Sequence, residues 1–270
     1  MLQPAPQTPV SLLFRHPARV TPVAKPRDQW IAFVGKLALE KGVHCLIAAA
    51  PELISHIPQA RLMLIGDGVA RAHLILMRDA LAEGNLDQAA AAMRLASQSS
   101  PEPYAEWVAE YWAGLDLDVY RSQALAANLK QSVFFTGYQT ATQVAQRLAC
   151  ADLMVIPSLI KEAFPLVSVE ALSSGLMFVA PHVGGLAPIL DQMAVELEPI
   201  GSLARIRYRP ESMIRELIGR VTDLLHYTAA PCRRADVAAM CRNFALKHYD
   251  WTNIVSRIES VYVSAIYGQV

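Results

Sequence analysis

The sequence predicts an α/β fold: a doubly wound parallel sheet with a helical insertion and a helical C-terminus. Three observations predict it. Short apolar, β-branched runs alternate with amphipathic stretches of helical period. Each run is followed by glycines or charged residues, as in loops that leave the carboxyl ends of parallel strands. And 53% of the 270 residues are hydrophobic against 18% charged, enough to bury a large core.

The elements follow in order. Residues 1–29 contain Pro4, Pro6, Pro9, Pro17, Pro22 and Pro26 and read as a proline-rich linker, because proline breaks helices and donates nothing to a sheet ladder. A Rossmann-like domain is expected over 30–245. IAFVG (31–35) is its first strand and HCLIAAAPELI (44–54) its first helix. RLMLIG (61–66) is the second strand, with a helix from about Ala70. VFFTG (133–137) precedes helix 142–149, DLMVIPS (152–158) precedes helix 166–174, and MFVAP (177–181) is the fifth strand. Residues 84–120 delay the third strand. They read as a helical insertion, an Ala-rich helix and a Trp107/Tyr111/Trp112 helix around Ser99-Ser-Pro-Glu-Pro103, expected as a hairpin on the rim. After Arg209 the chain is helical, and 246–270 forms the last helix.

Composition excludes several partners. Lys+Arg and Asp+Glu both total 24, so no net field draws in nucleic acid, and no nucleic-acid partner is expected. Cys45, Cys150, Cys232 and Cys241 form no CxxC pair and suit structural roles in a reducing cytoplasm. No apolar run approaches a membrane span and the N-terminus lacks a signal h-region, so a soluble, cytoplasmic protein is expected, with a large apolar face for a partner or second domain.

Candidate site residues gather on the loops after the strands. Gly35-Lys36-Leu-Ala-Leu-Glu-Lys41-Gly42 follows the first, Gly66-Asp67-Gly68 the second, Thr136-Gly137-Tyr138 the third, and His182-Val-Gly-Gly185 the fifth. After the fourth comes EAFPLVSVEA, with Glu162 in the loop and Glu170 one turn inside the helix. Each has a plainer reading: two solvated lysines, tight glycine turns, a carboxylate that complements a helix dipole. Leu166, Val169, Glu170 and Ser173 share one helix face, which is expected to draw Glu170 inward. Free amides at a helix N-terminus receive phosphate, and carboxylates accept from hydroxyls. A polyol carrying a diphosphate, such as a nucleotide-sugar, fits all five loops.

FVGKLALEKG, LMLIGDG, VFFTGY, VIPSLIKEAFPLVSVEALSSG and VAPHVGGLAPIL, in that order, resemble the C-terminal, donor-binding half of group 1 retaining glycosyltransferases of the GT-B fold, family four type. HYDWTNIVSRIESVY resembles the helix with which that family crosses back toward its other domain. The resemblance implies that Lys36, Lys41 and Glu162 are catalytic, the lysines on the donor diphosphate and Glu162 on hydroxyls of the transferred sugar. It places Glu170 on the nucleotide ribose, and Ala163, Phe164, Pro165, Leu166 and Val167 beside the phosphates or sugar, through the amides of Phe164, Leu166 and Val167. Gly35, Gly66 and Gly68 would line the donor pocket, and Gly137 and Tyr138 the base. It implies no metal and no cofactor besides the nucleotide-diphospho-sugar substrate; Asp116-Leu-Asp118 spells DxD but lies within the inserted helices.

The sequence departs from the family at Lys36, usually arginine, at Pro165, often glycine, and at Pro188, where an acidic residue is common. An acceptor-binding N-terminal domain has no counterpart. The chain is therefore expected to be half an enzyme, truncated from a longer one or completed by a partner subunit, with an exposed apolar face that either pairs with a second copy as a homodimer or captures the missing domain. The alternatives are a non-catalytic nucleotide-sugar-binding module and, third, a nicotinamide dehydrogenase, for which Gly66-Asp-Gly68 lacks a full GxGxxG.

Overall fold

A computed structural model gives the structure of residues 28–98 and 102–268. The linker expected over 1–29 falls almost wholly outside the described residues. Gln29–Val34 (β1) is a strand because Ile31, Ala32 and Phe33 are buried together, as in a strand covered on both faces. A 3-10 turn, Leu39–Lys41, and Gly42 lead into Val43–His56 (α1), then Ala60–Ile65 (β2) and Arg71–Ala82 (α2). Leu86–Ser97 (α3), Glu106–Ala113 (α4), Leu117–Ala126 (α5) and Leu129–Ser132 (α6) precede Val133–Gly137 (β3). Ala141–Leu148 (α7), Leu153–Val155 (β4), Leu166–Ser173 (α8), Phe178–Pro181 (β5) and Leu186–Glu196 (α9) follow. Arg205–Ile206 (β6) and three helices, Met213–Tyr227 (α10), Pro231–Tyr249 (α11) and Trp251–Tyr267 (α12), complete the order.

Among the described residues the strands form one six-stranded sheet in the order β3-β2-β1-β4-β5-β6, every pair parallel. The order runs outward from β1 in both directions. Right-handed crossovers then place α1 and α2 on one face and α7 and α8 on the other, which opens a crevice beyond the carboxyl ends of β1 and β4. This is the doubly wound α/β fold that the alternation predicts. The register shifts between Leu64 and Ile65, where β2 meets the end of β3, and Gly66 pairs with Gly137.

The inserted helices are not a hairpin on the rim. Tyr120 donates to the Ala48 carbonyl at 2.8 Å, Tyr111 donates to Glu52 at 2.7 Å, and His44 Nε2 lies 2.8 Å from the Tyr104 carbonyl oxygen. α4 and α5 thus form an outer layer over α1, and Trp107, Tyr111 and Tyr120 belong to the main core. That second cover explains why α1 is buried nearly all round, from Val43 through Pro51, and carries so few polar residues. The sequence reading also misses β6, whose two residues, one of them an exposed arginine, show no strand period.

α12 makes the opposite impression. It has no buried residue, and Trp251, Val255, Ile258, Val261, Tyr262 and Ile266 are all exposed. Among the described residues no helix is long and apolar enough to cross a membrane.

Candidate functional site

The loops after β1 and β4 are braced against each other. Gly42 has a φ of +70°, and a Cβ there would stand 1.8 Å from the Pro157 carbonyl oxygen, so only glycine admits this contact. Leu159 N donates to the Glu40 carbonyl at 2.8 Å. The brace holds Lys41 and Glu162 across the reversal of strand order, Nζ 3.0 Å from Oε1, with the side chains 27% and 18% exposed. Ser158, buried in the same loop, donates to the same Oε1 at 2.6 Å. Lys36 stands further out, 58% exposed, 3.7 Å from Glu40.

Glycines let the neighbouring loops approach. A Cβ on Gly66 would meet the Gly35 carbonyl oxygen at 1.9 Å, and one on Gly68 the Leu37 carbonyl oxygen at 2.5 Å. Their first duty is therefore close contact between the loops after β1 and β2, which narrows the crevice floor. Gly137, φ +73°, has nothing within 4 Å of its absent Cβ, and Tyr138 beside it is 79% exposed. From the far side, Gly185 N donates to the Glu162 carbonyl at 2.7 Å, and Cβ atoms on Gly184 and Gly185 would run into the backbone of 161–163. The Gly-Gly loop after β5 thus supports the backbone that carries Glu162, whatever stands at Pro188.

α8 begins at Pro165, whose carbonyl accepts from Ser168 N at 2.9 Å and Ser168 Oγ at 2.7 Å. The positive end of the helix dipole faces the crevice beside Ala163 and Phe164, both exposed. The expectation that Glu170 turns inward is corrected here. Leu166, Val169, Glu170 and Ser173 do share a face, but Ser168, Ala171 and Leu172 are the buried stripe, and α11 packs against α8. Glu170 is exposed on the open side, although the surrounding protein still displaces enough water to raise its carboxyl pKa. Val167 is half-buried and Leu166 68% exposed. Phe164 packs on Tyr249, centroids 5.8 Å apart, which ties the loop to α11.

Two residues at this edge escaped the sequence reading. Ser158 carries only a weak signal, a hydroxyl four positions before Glu162 in a loop, and Glu40 none, since its backbone carbonyl does the work. The DxD stretch has a structural explanation: Asp116 caps α5, accepting from the amides of Asp118 and Val119, and Asp118 pairs with Arg121. Among the described residues no group of three or more His, Cys, Asp or Glu side chains is placed to hold a metal ion. His44 is fully buried, His182 meets Asp191, and His248 meets Glu196. Cys45 and Cys241 are buried core thiols with raised pKa values, whereas Cys150 and Cys232 are exposed.

Comparison with known proteins bears on the fold and on the family it is similar to. The family model for glycosyl transferases group 1 matches residues 85–194. Glycogen synthase of Mycobacterium tuberculosis is 25% identical over 241 residues, 88% of this chain and 43% of the relative, so the chain spans less than half of that relative's length. Anabaena Alr3699/HepE, solved in complex with UDP-glucose, shares the fold with a TM-score of 0.54 and 20% identity, over 88% of this chain and 49% of that one. The C-terminal domain of the Francisella tularensis group 1 protein LpcC aligns with a TM-score of 0.51 and 16% identity, over 84% of this chain and 88% of that domain.

Proposed function

We propose that this chain forms the donor-binding domain of a retaining group 1 glycosyltransferase, which transfers a sugar from a nucleotide-diphospho-sugar to an acceptor. The observation that carries the proposal is the Lys41–Glu162 pair at 3.0 Å, a cation for phosphate and a carboxylate for hydroxyls held together at the strand-order reversal where such sheets bind ligands. Lys36 and Lys41 bind the diphosphate and stabilise the charge it gains as the bond to the anomeric carbon breaks. Glu162 accepts from hydroxyls of the departing sugar, whose transition state is oxocarbenium-like. Glu170, on the open face of α8, accepts from the ribose, and the dipole of that helix with the amides of Phe164, Leu166 and Val167 faces the phosphates or sugar. Gly35, Gly66, Gly68 and Ala163 line the pocket, and Gly137 with Tyr138 borders the base.

We assign the acceptor side to a second domain or a partner subunit, since a GT-B site lies between two domains and the described residues build one doubly wound sheet. The apolar surface near the crevice, Val69, Tyr138, Phe164 and Leu166, together with exposed α12, suits such a neighbour or a second copy of the chain. The buried thiols of Cys45 and Cys241 fit a cytoplasmic setting, where nucleotide-sugars are at hand.

Thermal unfolding with UDP, ADP and GDP, with their glucose conjugates, and with nicotinamide dinucleotides tests the reading. At a hundred times its Kd a ligand of the fold adds about 2.7 kcal/mol of stability. Stabilisation by at least one nucleoside diphosphate is expected. Stabilisation by nicotinamide dinucleotides alone, or by none of these ligands, would overturn the proposal.

A further inference from the structure

A glutamate in an irregular loop does not hold its own rotamer, and Glu162 lies between β4 and α8 where no ladder or helix fixes it. We propose that Ser158 is the positioning residue of the donor site: its buried hydroxyl sets the Glu162 carboxylate in the orientation that meets the transferred sugar. Ser158 thereby controls how much the sugar adds to the binding of the bare diphosphate. The inference rests on the donor-binding reading and adds to it a residue that acts only through Glu162.

The geometry carries it in three steps. Ser158 is 1% exposed and its Oγ lies 2.6 Å from Glu162 Oε1, a short hydrogen bond of the kind formed to a charged acceptor. Lys41 reaches that same oxygen at 3.0 Å, so both contacts fall on Oε1 and leave Oε2 to accept from a ligand hydroxyl. The serine is itself immobile: the Pro157 carbonyl fills the space that a side chain on Gly42 would need, Leu159 N donates to Glu40, and Leu159 O accepts from Tyr208 at 2.6 Å.

The chemistry explains why a hydroxyl stands there. It is neutral, so it orients the carboxylate without competing with Lys41 for it, and it is small enough to remain buried. Without it, Glu162 would be held by Lys41 alone, an ammonium on a flexible four-carbon stem. When the diphosphate draws Lys41 away, Ser158 is the contact that keeps Glu162 aimed at the sugar.

The test compares calorimetric affinities for UDP, ADP and GDP with those for their glucose conjugates and for UDP-N-acetylglucosamine, in wild type, Ser158→Ala, Glu162→Gln and the double variant. The expected result is wild type binding one conjugate more tightly than its diphosphate, and Ser158→Ala losing about tenfold on that conjugate with the diphosphate unchanged. In the Glu162→Gln background the serine change should then have no further effect, because the two act as a unit. An equal loss on both ligands, or a sugar increment left intact, overturns the role of Ser158. Wild type that binds diphosphates but gains nothing from any sugar overturns it as well while sparing diphosphate recognition, whereas wild type that binds none of the ligands overturns the donor-binding reading itself.

Discussion

Lys41 Nζ lies 3.0 Å from Glu162 Oε1 and joins the loop after β1 to the loop after β4 across the reversal of strand order. In the free protein the cation proposed for phosphate is thus already partly neutralised. Glu162→Gln removes that competition, and since a partly exposed pair is worth at most about 1 kcal/mol, diphosphate affinity should rise by about threefold. The advantage of a sugar conjugate over the diphosphate should vanish in the same variant. Calorimetry reads both, and unchanged diphosphate affinity would mean that the pair does not restrain Lys41.

Lys36 and Lys41 are proposed to meet a diphosphate and not a base. Lys36→Ala and Lys41→Ala should each weaken nucleoside diphosphate binding by about tenfold and leave the bare nucleoside almost unaffected. The loss should shrink as salt rises, more for exposed Lys36 than for Lys41. Equal losses for nucleoside and diphosphate would place the lysines elsewhere.

Glu170 projects from the open face of α8 while Ser168, Ala171 and Leu172 hold the helix down. Glu170→Gln should therefore weaken nucleotide binding several-fold with little change in melting temperature. A lowered melting temperature at unchanged affinity would make the carboxylate a structural one.

Gly42 and Gly137 have nearly the same φ, +70° and +73°, but only Gly42 faces backbone, at 1.8 Å. Gly137→Ala should cost about 1 kcal/mol, the strain of a left-handed residue. Gly42→Ala adds a clash with Pro157 and should cost about 3 kcal/mol or more, with loss of diphosphate binding as Lys41 is displaced. Urea unfolding of the two variants separates the terms; similar costs would show that the two loops part easily.

His44 is completely buried, and burial lowers its pKa from 6.5 to about 4. Between those values the unfolded chain binds the proton that the folded one refuses. Stability is therefore intact above pH 6.5 and declines as pH falls toward 4, by on the order of 3 kcal/mol in all. His44→Gln should flatten that decline in urea midpoints measured from pH 7 to 4, and an unaltered slope would assign the acid sensitivity to other groups.

Much of the fold was legible in the sequence because its signals are local. Short apolar, β-branched runs set β1 to β5 and period-3.6 apolar patterns the main helices, and glycines or charges after each strand marked the edge where Lys41 meets Glu162. Gly66 and Gly68 were legible as a turn, read from sequence as an approach to a ligand, whereas what stands against them is the backbone of Gly35 and Leu37.

Tertiary structure decided the rest, since the remaining questions turn on partners distant in the chain. Whether Glu170 faces in or out depends on which stripe of α8 is covered by α11, and a helix in which seven of eight residues lack charge gives no sign of it. That the inserted helices form a layer over α1 rests on Tyr104, Tyr111 and Tyr120 reaching His44, Glu52 and Ala48, contacts with no period to read. Ser158 became visible only when its hydroxyl was found on Glu162 with Lys41 on the same oxygen, because side-chain geometry in an irregular loop is imposed by the loops packed against it.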